Sequence, residues 1–159
     1  MSYINLPAIA IGNVPITALD PEIAGNPAGA GQIGEILESS IASATAVGVG
    51  ATGTWGSVTS IALTAGVWEI TSKAGFEENG AVLSDFYRVG VSTSATGVGI
   101  NVFEYLQYNQ LVSGQDFVCN GPTLLVNINA GVTYYLLTQF IYSSGAPRHY
   151  GQITARRYR

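Results

Sequence analysis

Between positions 67 and 76 the side chains alternate with a period of two. Trp68, Ile70, Ser72, Ala74 and Phe76 share one face, and Val67, Glu69, Thr71 and Lys73 share the other. This is the pattern of a half-buried β-strand, whose neighbouring side chains point to opposite faces. Similar runs of β-branched, aromatic and aliphatic residues predict strands over 58–63, 86–91, 100–106, 124–128, 132–142 and 151–159. Turn residues separate them, at 77–80, in the Ser/Thr/Gly stretch before 100, and across 107–122 around Phe117-Val118. Residues 48–56 read as a Gly/Thr loop. Positions 32–47 fit two templates. Ile33, Ile36, Leu37, Ile41 and Ala44 make a helical stripe, while Ile33, Glu35 and Leu37 make a strand-like alternation. Gly34 and the Ser-Ser-Ile-Ala-Ser run weaken a helix, and the strand-rich surroundings favour a strand.

One phrase occurs twice. Leu63-Thr64-Ala65-Gly66-Val67-Trp68 and Ile128-Asn129-Ala130-Gly131-Val132-Thr133-Tyr134 each place a small Ala-Gly turn between apolar runs. Glycine supplies the positive φ that tight reversals need, so each reads locally as a hairpin. Against a count of about eight strands they are better placed as matching corners of one double sheet. The expected fold is all-β, an antiparallel sandwich or barrel of about eight short strands over 32–159. Trp68 and Tyr134, flanking the two turns, are expected in its core or at a contact between subunits.

Residues 1–31 break the pattern. Pro7, Pro15, Pro21 and Pro27 forbid a helix or a central strand there. Yet Ile4, Leu6, Ile9, Ile11, Val14 and Ile16 lie before and between them, more apolar content than a free tail needs. This segment is predicted to be an extended arm lying on its own domain, a neighbour or a larger scaffold, joined by a flexible stretch at 25–31. Thirty extended residues reach on the order of 90 Å.

Composition adds an oligomer to this picture. Charged residues make up 10% of the chain and apolar residues 47%, against about 25% charged in an average globular domain. Part of the surface is therefore expected to be covered by other subunits, and the rest by Ser, Thr, Asn, Gln and Gly. Up to position 147, ten carboxylates face only Lys73 and Arg88, a balance of −8, which argues against nucleic-acid binding. The other cations, Arg148, Arg156, Arg157 and Arg159, alternate with Ile153, Ala155 and Tyr158 as in a strand, and are expected to pair with carboxylates of a neighbouring chain. Tyr142, Arg156 and Arg157 join Trp68 and Tyr134 as candidate subunit contacts. Cys119 is the single cysteine, so no intrachain disulfide forms. The start of the sequence does not read as a signal peptide and no apolar run is long enough to span a membrane, so synthesis in a cytoplasm is expected.

Catalytic chemistry finds little support. His149 is the single histidine and reads as a surface or interface residue. Cys119 reads as half-buried, with no base or positive charge in view to activate it. Glu77 and Glu78 are adjacent, pointing to opposite faces if extended, which suits no glycosidase pair. Asp85, Glu104 and Asp116 stand singly, and calcium binding by Glu77, Glu78 and Asp85 lacks a recognisable loop spacing. Gly48 to Gly53 is glycine-rich but leads into a strand, where a phosphate loop would open a helix. No catalytic, metal or cofactor residue is expected. The tyrosines late in the chain, Tyr105, Tyr108, Tyr134, Tyr135, Tyr142, Tyr150 and Tyr158, suit an interface or a sugar-binding surface.

The Leu-Thr-Ala-Gly-Val-Trp phrase at 63–68, Gly34-Glu35-Ile36-Leu37, and the ending Gly151-Gln152-Ile153-Thr154-Ala155-Arg156-Arg157-Tyr158-Arg159 resemble small structural proteins of tailed bacteriophages. Those resemble in turn the jelly rolls of the tumour-necrosis-factor and C1q type. The resemblance spans 32–159 and implies an antiparallel jelly-roll sandwich there and a homotrimer, with Trp68, Tyr134, Tyr142, Arg156 and Arg157 as candidate trimer contacts and no catalytic residues. It leads to the expectation of a non-enzymatic virion protein that decorates or cements a capsid, bound to the major capsid protein through its arm. A tail-fibre or receptor-binding tip recognising host glycans is the alternative.

Overall fold

The computed structural model describes residues 28–97, 102–107 and 117–158, with 83–85 and 102–107 described through their backbone alone. The expected arm residues Ile4, Leu6, Ile9, Ile11, Val14 and Ile16 lie outside the described residues, as do Tyr108 and Asp116.

Ten strand segments occur among the described residues: β1 (Ile36–Ile41), β2 (Val47–Gly48), β3 (Trp55–Leu63), β4 (Gly66–Glu77), β5 (Val82–Ser92), β6 (Val102–Gln107), β7 (Phe117–Asn120), β8 (Leu124–Ile128), β9 (Val132–Ser144) and β10 (Arg148–Arg157). The first sheet runs β1-β10-β4, with β7 and β8 together forming the next strand beyond β4, and β2 also pairs with β10. The second runs β3-β9-β5-β6. Every pairing is antiparallel and the register is nested: β1 with β10, β3 with β9, β4 with β7 and β8, β5 with β6. A long hairpin paired first to last and then folded over into two sheets is a jelly roll. With β7 and β8 as halves of one strand and β2 as a short extension, eight strand positions make up the sandwich.

The ambiguous stretch at 32–47 is strand where it matters, as β1, followed by a single 3-10 turn at Ser43–Thr45. The β7 segment was hidden among turn residues. It ends at Gly121-Pro122, where proline removes a ladder donor and β4 changes partner from β7 to β8.

The paired Ala-Gly phrases are not hairpins. β3 and β4 lie in different sheets, as do β8 and β9, so both are corners that carry the chain across the sandwich. Register places them side by side: Leu63 opposite Val132 and Gly66 opposite Ile128. Gly66 has φ 150°, which a side chain would resist, whereas Gly131 is not in the positive-φ region.

Between the sheets, Trp68, Ile70, Ala74, Phe76, Val89, Leu136, Ile153 and Ala155 are buried. An aromatic group fills the end away from the corners, with Phe76 centred 4.4 Å from Tyr87, 4.5 Å from Phe140 and 4.9 Å from Phe117. Trp68 fills the corner end. His149 also faces inward, 2% exposed, although the sequence reads it as a surface or interface residue. Strand alternation decides this: 149, 151, 153 and 155 share one face of β10, and Ile153 and Ala155 are core. Its Nδ1 lies 2.5 Å from Thr138 Oγ1, and burial lowers its pKa to about 4.

Candidate interaction surface

The corner end is locked by one side chain. Arg157 Nε donates to Glu35 Oε2 at 3.0 Å, Nη1 donates to Ala65 O at 2.7 Å, and Nη2 donates to Thr64 Oγ1. Its guanidinium lies 4.4 Å from the Trp68 ring centroid, and Trp68 Nε1 donates to Thr64 O at 3.0 Å. The same Glu35 oxygen accepts the Gly31 amide at 2.7 Å, so the stretch leading out of 1–27 is held against the corner from Gly31 onward. Part of the stretch expected to be a flexible joint is therefore a pinned turn.

This arrangement shows where the residues expected at a trimer contact sit within the single chain. Trp68 and Tyr134 are core, the first of the two alternatives the sequence left open. Arg157 pairs with a carboxylate of its own chain, because β1 lies beside β10 and brings Glu35 to it. Tyr142 is half-buried and holds the preceding loop: its hydroxyl donates to Gly50 O at 2.8 Å and its amide to Thr52 Oγ1 at 2.9 Å. Arg156 is exposed, on the outer face of the first sheet. Glu78 and Cys119 are both buried, Cys119 where a half-buried residue was expected.

That outer face is the most distinctive surface of the described chain. Register sets its rows: Ile36, Arg156, Glu69 and Leu125; then Glu38, Thr154 and Thr71; then Ser40, Gln152, Lys73 and Asn120; then Tyr150, Gly75 and Val118; then Arg148 and Glu77. Three cations stand among three carboxylates, so the face is close to neutral on an acidic chain. Large apolar side chains are exposed on it, Leu125 at 71%, Ile36 at 62% and Val118 at 57%. Tyr158, bonded to Glu69 at 3.2 Å, and Ile33 extend the apolar part around the corner end.

Further along, two hollows of about 350 and 270 Å³ adjoin, sharing Lys73 and Gln152 as their common wall. Sequence reasoning placed Lys73 on this face of β4 but missed the groove. Its other walls come from β1, β7 and β10, and only the register brings them together.

No family model matches the chain, and no curated protein matches it. Among solved structures it is similar to viral capsid proteins of infectious bursal disease virus. The VP2 subviral particle is 12% identical over 78% of this chain and 32% of that one, with a TM-score of 0.49. The Gx strain is 12% identical over 80% and 33%, with a TM-score of 0.48. A further particle structure of that virus is 12% identical over 96% and 36%, also at 0.48. The chain thus spans about a third of the length of those capsid chains. At this distance the likeness bears on neither its role nor its partners; the fold rests on the register and core described above.

Proposed function

We propose that this chain is a non-enzymatic structural protein of a virus particle, assembled as a homotrimer through the corner end of its first sheet. The supporting observation is the row Ile36, Arg156, Glu69 and Leu125. It sets two exposed aliphatic side chains around a cation and a carboxylate, on a nearly neutral face of an otherwise acidic chain. A second copy meets the least repulsion there, and burying Leu125 and Ile36 contributes about 1.5–3 kcal/mol each. The resemblance to phage structural proteins points to a capsid decoration or cement role, with segment 1–27 bound on the major capsid protein. Several weak apolar contacts along such a segment add up, and three arms per trimer multiply the effect. A fibre-tip role is the second reading, favoured by the sugar-sized hollows beside Tyr150.

Light scattering on the purified chain is expected to give three times the single-chain mass. Joint Leu125→Glu and Ile36→Glu substitution is expected to give a folded monomer; an unchanged mass would remove this interface. Deleting residues 2–27 is expected to leave the trimer intact and to weaken binding to stripped particles by at least about tenfold, or 1.4 kcal/mol. Retained particle binding would end the anchoring role.

A further inference from the structure

We propose that the paired hollows on the outer face of the first sheet form a binding groove for an acidic carbohydrate chain. The groove follows β10 from Tyr150 to Thr154, about 13 Å at strand rise, and is separate from the Ile36–Leu125 row. It stands whether the particle role is decoration or fibre tip.

Its first half is a platform. The Tyr150 ring lies across Gly75, occupying the place of a β-carbon there: a Cβ on Gly75 would meet Cζ at 2.0 Å and Cε2 at 2.1 Å. Glycine at 75 thus lets the ring rest on the sheet, with Val118 and Ile41 as apolar walls. A ring held this way offers a flat, partly exposed surface to the C–H face of a sugar. Its second half is polar, lined by Thr71, Thr154 and Asn120. Hydroxyls and amides both donate and accept, as a ligand covered in hydroxyl groups requires.

Lys73 stands between the halves beside Gln152 and gives the groove its charge preference. No carboxylate lines either hollow, and among the described residues Lys73 makes no ion pair. An ammonium at the centre of an uncharged lining favours a ligand with a carboxylate. One lysine with Glu38, Glu69 and Glu77 elsewhere on the face is too little for a nucleic-acid backbone, which needs several phosphate contacts. A uronic-acid polysaccharide matches all three features: stacking faces, hydroxyls and regularly placed carboxylates.

The test titrates the full chain with oligogalacturonate and, separately, with a neutral dextran oligosaccharide, by calorimetry at low and high salt. The uronate is expected to bind more tightly than dextran and to weaken with salt. Lys73→Gln should cost the uronate at least fivefold and remove most of the salt dependence. Tyr150→Ala should weaken it likewise, and Leu125→Glu, outside the groove, should leave binding unchanged. Gln152→Ala serves as a further groove variant, with circular dichroism confirming each fold. Absence of uronate binding, equal binding of both sugars, or binding indifferent to Lys73→Gln and Tyr150→Ala would each overturn the proposal. Because Leu125→Glu disrupts only the corner row, failure of the trimer and failure of the groove are read separately.

Discussion

Arg157→Ala is expected to destabilise the domain by about 3–5 kcal/mol, the cost of stranding a buried charge when its partner is removed. Glu35 would be left 6% exposed, with the Gly31 amide as its remaining side-chain partner. Ala65 O and Thr64 Oγ1 would lose their guanidinium donors, and Trp68 the cation stacked on its face. For a chain of this size the loss corresponds to a fall in Tm of roughly 10 °C. A joint Glu35→Met and Arg157→Met replacement should recover most of it, since apolar pairs of similar volume often substitute for buried ion pairs without loss. A single variant melting within a degree of wild type would mean that the pair is effectively solvated.

The second large effect concerns His149 and has a definite sign. Its folded pKa, about 4, lies below its ordinary value of 6.5 because burial disfavours the imidazolium. Between those two values the unfolded chain holds a proton that the folded chain does not, so stability falls as pH drops through 6.5 toward 4. The loss from this one group reaches about 3 kcal/mol. Carboxylates titrate in the lower part of the same window, so the measurement is a difference. Denaturant unfolding of wild type and His149→Gln is compared at pH 7 and pH 4.5, Gln retaining a polar partner for Thr138 but taking no proton. Wild type should lose more stability between the two pH values than the variant does. Equal losses would show that the imidazole accepts its proton inside the sandwich.

The sequence reveals what is periodic and local. The alternation in β4 assigns Trp68, Ile70, Ala74 and Phe76 to the core, and the predicted strand at 124–128 coincides with β8 (Leu124–Ile128). The Ala-Gly phrases are legible as turns, but a turn says nothing about which sheet the next strand joins. Only the pairings Leu63–Val132 and Gly66–Ile128 make them corners. His149 was legible in principle, because its parity with Ile153 and Ala155 places it inside. Its polar character and charged neighbour Arg148 pointed the other way. The Glu35–Arg157 pair joins positions 122 apart, and the groove around Lys73 draws on four strands. No local window contains either, since both are products of register.

The nested register also orders how the sandwich can form. β5 and β6 are close in the chain, with Phe86 opposite Gln107, so their pairing closes a short loop. Once the inner strands are joined, the step from Gly66–Ile128 to Leu63–Val132 closes only a few more residues on each side. The pairing of Ile36 with Arg156 spans nearly the whole domain and costs least after everything within it is in place. The corner lock is then the last piece to close in folding and the first to open, so its strength governs how long the native state persists more than how fast it is reached.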